Sequence, residues 1–255
     1  MTLITEEPLF LSVIRNVDAV SRSDNPREQE DNDIYKKARG EFIAKEMTKT
    51  HGNGALKCSA CNLPMINGYH IHHKDGDHRN NTPENFTIRC PMCHMSEHIG
   101  YVGTQRMGVI VYVPEIEQSQ LNLLQVVTYS IESGLAMRKP HSDEYNQLKA
   151  FANNARLVID AIDRTKSIVL RNFQSIDPTH FANIFANMSE DEYRNRRTGT
   201  FSGLRVLFYP EAFKKDIELW REMFFNLESN KHEGLHPFQW KSSSMIFNRQ
   251  TKEKI

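Results

Sequence analysis

Residues 58–98 read CSACNLPMINGYHIHHKDGDHRNNTPENFTIRCPMCHMSEH. The stretch holds all 4 cysteines of the 255-residue chain, arranged as two C-x-x-C pairs, Cys58/Cys61 and Cys90/Cys93. It also holds His70, His72, His73, His78, His94 and His98 out of 11 histidines. Each C-x-x-C puts two sulfurs on one tight turn, and two such turns can enclose one zinc ion tetrahedrally. Four protein ligands close the coordination sphere, so the expected role is structural. The binding energy of such a site acts as folding energy, about 10–16 kcal/mol in small finger peptides. A segment this short, with few apolar residues, needs a staple of that kind. No βαβ pattern flanks either pair, which argues against a thioredoxin-type redox site.

The histidines carry a second pattern. Tyr69–Lys74 alternates as a strand does, Phe86–Arg89 reads as another, and Pro91–Ile99 reads as a helix with proline early. On such a helix His94 and His98 share one face. On the strand His72 and His73 point to opposite sides. One of the pair can then join the helix histidines on a metal while the other faces a substrate. A neutral imidazole can take a proton from water near pH 7, and a divalent ion can stabilise charge developing on a phosphate. His70 and His78 are expected to be exposed rather than ligating. Lys74, Arg79 and Arg89 are offset by Asp75, Asp77, Glu84 and Glu97, so this face is not basic.

Working outward, Ile34, Ala38 and Phe42 mark an amphipathic helix from Asp33 to about Thr48, ended by His51-Gly52-Asn53-Gly54. Before it, the apolar run Leu9–Ile14 suggests a strand or short helix leading into a polar loop. Downstream, Met107–Val113 is strand-like, Pro114-Glu115 opens a helix to about Ser133, and Ser142 caps a long helix. Tyr145, Leu148, Phe151, Ala155, Val158, Ile162 and Val169 form its stripe. Asp177-Pro178 and the Ser189/Glu192 capping box start two shorter helices. Phe213, Ile217, Trp220, Phe224 and Leu227 mark the last. The expected class is α+β, with a small metal module in a mostly helical chain. The expected division is 1–54 for an N-terminal segment and helix, 55–105 for the module, 106–228 for a strand and helical region, and 229–255 for a polar, flexible tail.

Composition bounds the function. With 32 Lys+Arg against 32 Asp+Glu the net charge is zero, so no global field holds a polyanion, and a sequence-specific DNA-binding module is the least favoured class. The longest clean apolar run, Val109–Val113, is far too short to span a bilayer, and the N-terminus lacks a basic leader start. A cytoplasmic protein without membrane insertion is expected. The stripes Leu121, Leu124, Val127, Ile131 and Phe213, Ile217, Trp220, Phe224 could line a groove for a partner, but such stripes more often face their own core. The basic cluster Tyr193-Arg194-Asn195-Arg196-Arg197 reads as a solvated helix end.

Two resemblances follow. His72-His73-Lys74-Asp75-Gly76-Asp77, Asn80-Asn81, Glu84-Asn85-Phe86 and Cys90-Pro91-Met92-Cys93-His94 resemble the HNH motif of ββα-metal nucleases with a four-cysteine zinc site. The resemblance implies that His72, His94 and His98 hold a divalent ion, Mg, Mn or Zn. It implies that His73 is the general base and that Asn85 orients it and braces the loop, with Asn80 and Asn81 as lesser candidates. Residues Gly108-Val109-Ile110-Val111-Tyr112-Val113-Pro114-Glu115-Ile116-Glu117-Gln118-Ser119-Gln120-Leu121-Asn122, and more loosely Leu204–Leu227, resemble the IcmJ (DotN) family of type IVB secretion and conjugation systems. That resemblance implies a zinc-binding, non-catalytic adaptor for the coupling ATPase or other secretion subunits. The intact His/Asn set keeps the alternative of a DNA-cutting HNH endonuclease.

Overall fold

The structure is a computed structural model that describes residues 9–14, 33–49, 55–138, 140 and 142–225. The expected turn at 51–54 and the tail at 229–255 lie outside the described residues. Around the two cysteine pairs the chain forms two small sheets. Strands β1 (Leu56–Lys57) and β2 (Pro64–Met65) pair antiparallel, and the first C-x-x-C lies in the turn between them. Asn62 closes that turn in the left-handed region, at φ 58°, donating its N–H to Cys58 O at 2.8 Å. Asparagine tolerates this conformation better than most residues. Strands β3 (His70–His73) and β4 (Phe86–Arg89) pair antiparallel from His70↔Arg89 to His73↔Phe86. The turn docks on β4 through Ser59 N–H to Ile88 O, 2.9 Å.

Helices α1 (Asp33–Thr48) and α2 (Pro91–Ser96) begin where the sequence places them. Cys90 is the N-cap of α2, its sulfur accepting from Cys93 N–H at 3.4 Å, and Pro91 takes the first helical position. The helix then departs from expectation. It stops at Ser96, and a new helix α3 (Ile99–Thr104) starts after Glu97 and His98. The freed groups are taken by a distant segment: Ser12 N–H donates to Ser96 O at 3.2 Å, and Ile99 N–H to Ser12 O at 3.1 Å. Residues 9–14 are therefore neither strand nor helix but an irregular strap. It buries Leu9, Leu11, Val13 and Ile14 and bonds across the break.

The third sheet joins β5 (Gly108–Tyr112) to β6 (Leu204–Phe208), Gly108↔Phe208 through Tyr112↔Leu204. Strand β6 is buried along its whole length. Its free edge is sealed by side chains of helix α4 (Gln118–Leu135). Gln118 donates to Val206 O and accepts from Val206 N–H, at 2.9 and 2.8 Å. Gln125 makes the same pair with Phe208, at 2.8 and 3.4 Å. Two glutamine amides thus stand in for a third strand. The outer edge of β5 is closed by Ile176 O, which accepts from Ile110 N–H at 2.9 Å, and by Thr165 Oγ1, which accepts from Tyr112 N–H at 3.2 Å.

The remaining helices are α5 (Asp143–Arg164), α6 (Lys166–Phe173), α7 (Pro178–Ala186), α8 (Glu190–Thr198) and α9 (Lys214–Phe225). The long stripe is cut at Thr165, and its buried face on α5 is Leu148, Ala152, Ala155, Ile159 and Ile162, while Val158 faces solvent. Helix α4 starts three residues later than Pro114-Glu115 suggested, with Gln120 Oε1 accepting from Glu117 N–H at 2.9 Å. Helix α7 crosses α3 closely at Gly103, where an added methyl carbon would lie 2.1 Å from Thr179 Oγ1 and 2.3 Å from Thr179 N. Leu121, Val127, Ile131, Phe213, Ile217, Trp220 and Phe224 are all buried, so both candidate stripes serve the protein's own core. Helices around small antiparallel sheets make an α+β fold. Among the described residues no helix is long and apolar enough to cross a membrane.

Candidate metal centre

The four sulfurs of Cys58, Cys61, Cys90 and Cys93 lie within 4.8 Å of one another and are buried. Cys61 Sγ and Cys90 Sγ are 3.7 Å apart. Zinc–sulfur arms of 2.3 Å give tetrahedral edges of about 3.8 Å, so the cluster is sized for such an ion. Burial pushes the thiols of Cys90 and Cys93 up. Cys58 is also raised by burial, but the three facing thiols outweigh that and hold it well below the ordinary thiol range. Four such sulfurs become thiolates together only with a cation among them. They could hold a metal such as zinc. A support absent from the sequence reading comes from α4: Asn122 Nδ2 donates to Cys93 Sγ at 3.4 Å and to Ser96 Oγ at 3.1 Å. The only earlier sign of Asn122 was its place in the Gln-x-x-Leu-Asn run.

Beside the sulfurs lies a histidine cluster. His72, His94 and His98 each bring a ring nitrogen within 4.8 Å of the others, and all three are buried. His98 is no longer on the helix of His94, yet the two Nε2 atoms are 3.2 Å apart. Two nitrogens about 2.0–2.1 Å from a tetrahedral ion are about 3.3 Å apart. His72 Nε2 faces Glu97 Oε1 at 3.3 Å, whereas His72 Nδ1 is buried with no hydrogen-bond partner among the described residues. That orphan nitrogen is what a divalent ion would satisfy, so the three residues fit a metal.

His73 points the other way, as strand alternation requires. Its ring stacks on Tyr35 of α1 at 5.9 Å and meets the edge of Phe86 at 4.9 Å. Its Nε2–H donates to Asn81 Oδ1 at 2.9 Å. Asn85 sits elsewhere in the loop. It donates to Asp75 Oδ1 and Asn80 O, at 2.8 and 3.0 Å, and accepts from Asp75 N–H at 3.1 Å. The two tasks expected of one asparagine are divided: Asn85 braces the loop and Asn81 holds the His73 ring. Asn80 donates to Asp75 Oδ2 at 2.7 Å.

Two further histidines correct the expectation of exposure. His78 is buried, its ring 4.9 Å from His73 and 5.5 Å from His98. His70 is half-buried and reaches His94. The six imidazoles flagged by the sequence therefore form one connected set.

Burial holds His72, His73, His78 and His94 below the usual imidazole value, His78 at about 3. They are neutral in the folded protein, while the unfolded chain takes up their protons below about pH 6.5. Stability is therefore complete above that value and falls as pH drops, down to about 3 for His78. Glu97, raised by its burial, acts in the opposite direction. Each histidine contributes up to about 1.4 kcal/mol per pH unit in that window. Urea midpoints at pH 7.5 and 5.5 check this: the midpoint is expected to fall on acidification, and an unchanged or higher one contradicts it.

Fold and centre together define an α+β protein with a four-cysteine site able to bind metal. No family model matches the chain. Over 169 residues it is 25% identical to the Type 4 apparatus protein DotN of Legionella pneumophila, covering 64% of this chain and 72% of that protein. This distant similarity supports a relationship to the IcmJ/DotN family and to type IV secretion.

Proposed function

We propose that the protein is a cytoplasmic zinc-binding component of a type IVB secretion or conjugation apparatus, acting as an adaptor for its coupling ATPase. Residues 55–105 serve as an HNH-like ββα-metal module, and 106–228 as the helical body that carries it. The observation that carries this reading is the similarity to the Type 4 apparatus protein DotN, spread over 169 residues rather than confined to the cysteines. The segment Gly108–Asn122 supports it. Gly108–Tyr112 forms the strand against β6, and buried Arg205 donates to Ile116 O at 2.6 Å at the corner. Gln118 seals β6, and Asn122 reaches Cys93. These residue choices tie the helical body to the metal module. The test is affinity capture with the tagged chain from cells expressing the apparatus. The coupling ATPase is expected with wild type and His73→Ala alike. Recovery of neither the ATPase nor any other secretion subunit overturns the proposal.

One observation favours a second reading, a metal-dependent DNA endonuclease: His73 is hydrogen-bonded to Asn81 next to the three-histidine set. His73 would take a proton from the attacking water at Nδ1, with Asn81 fixing the ring by holding Nε2–H. A divalent ion on His72, His94 and His98 would stabilise negative charge on the phosphate. Against it, Tyr35 stacks on His73, which is 3% exposed, and the net charge is zero. Plasmid nicking with Mg, Mn or Zn decides: equal, negligible cutting by wild type and His73→Ala removes the nuclease.

A further inference from the structure

His70 lies outside the three-histidine set, two residues before His72 and on the same face of β3. Its Nδ1 is 2.9 Å from His94 Nδ1, and the rings meet edge to face with centroids 5.0 Å apart. The other nitrogen of His94, Nε2, is 3.2 Å from His98 Nε2. A neutral imidazole has one N–H and one lone pair, so two facing ring nitrogens share at most one proton. For His94 and His98 both to turn an Nε2 lone pair toward one ion, the proton of His94 has to sit on Nδ1. His70 Nδ1 then accepts it, and His70 carries its own proton on Nε2. His72 shows the same arrangement, with Glu97 at one nitrogen and the orphan Nδ1 left for the ion.

We propose that His70 is a positioning residue: by accepting the Nδ1 proton of His94 it fixes that tautomer and leaves His94 Nε2 to bind a divalent cation with His72 and His98. The inference rests on reading the three histidines as a second metal site. Outer partners of this kind change metal affinity by about 10–100-fold. His70→Phe keeps ring bulk and loses the acceptor. His70→Asn restores an acceptor oxygen close to where Nδ1 stood.

The test uses the full chain with zinc in the cysteine site, titrated with cobalt(II) against a competing chelator. Wild type is expected to bind one further cobalt, His70→Phe to bind it about 10–100-fold more weakly, and His70→Asn to recover most of the loss, with zinc content unchanged throughout. Equal affinity in wild type and His70→Phe overturns the role of His70 and leaves the three-histidine site standing. Equal weakening in both variants overturns the acceptor role. No second ion in wild type overturns the site and the inference together. A tautomer measurement on wild type needs no variant: ¹H–¹⁵N correlation of the zinc-loaded site is expected to show His94 protonated at Nδ1, and a proton at Nε2 contradicts the proposal.

Discussion

Replacing Cys93 by serine is expected to abolish stoichiometric metal binding and the cooperative folding of residues 55–105. A closed tetrahedral zinc site contributes about 10–16 kcal/mol in small peptides, whereas whole domains are stable by about 5–15 kcal/mol. The loss therefore exceeds what the surrounding packing can absorb. Cys93 is a demanding position for three reasons. It sits in the first turn of α2, its N–H is held by Cys90 Sγ, and its sulfur receives Asn122 Nδ2–H. The damage should spread beyond the module, because Met92, Ile99 and Val102 share one buried core with Leu121, Val206 and Phe208. Metal content by mass spectrometry and thermal unfolding by circular dichroism check this. A Cys93→Ser chain that stays folded with the wild-type midpoint, or a wild-type chain that is metal-free and fully folded under reduction, contradicts it.

What the sequence disclosed depended on how local each cause is. The cysteine turns, β3, β4 and the caps at Ser142 and Ser189 arise from residues within a few positions of one another, and they read correctly. Strand β6 did not. It is buried along its length, so it lacks the alternation of a half-exposed strand, and Arg205 interrupts its apolar run. The groups that complete its edge belong to Gln118 and Gln125, more than 80 residues earlier. The break between α2 and α3 has no proline or glycine at Glu97 or His98 to announce it. It persists because Ser12, about 85 positions away, satisfies the freed backbone. Choosing among Asn80, Asn81 and Asn85 required the loop's conformation, including Gly76 at φ 72°, which spacing alone does not supply. The burial of His70 and His78 is likewise a product of packing between separate elements.

The second large effect is expected at Arg89. Its Nε and Nη2 grip Glu97 Oε2 and Oε1 at 2.9 and 3.3 Å, and Nη1 donates to Ser59 Oγ. Burial disfavours the charge on Arg89, but Glu97 outweighs it and holds the guanidinium firmly protonated. Burial also pushes the Glu97 carboxyl up, against the pull of Arg89. Arg89→Met therefore strands a carboxylate that is only 11% exposed and is expected to cost about 3 kcal/mol, the low end for a buried pair. The double variant Arg89→Met/Glu97→Met removes both charges and should recover most of that loss, because an apolar pair of similar volume has no desolvated ion to satisfy. It would still lack the carboxylate opposite His72 Nε2. Stability and the histidine site thus separate: the double variant is expected to unfold near the wild-type midpoint while binding a second cation more weakly. Urea denaturation of the single and double variants, each with zinc in the cysteine site, checks the first half. A double variant as unstable as the single one would show that the ion pair contributes through packing rather than charge.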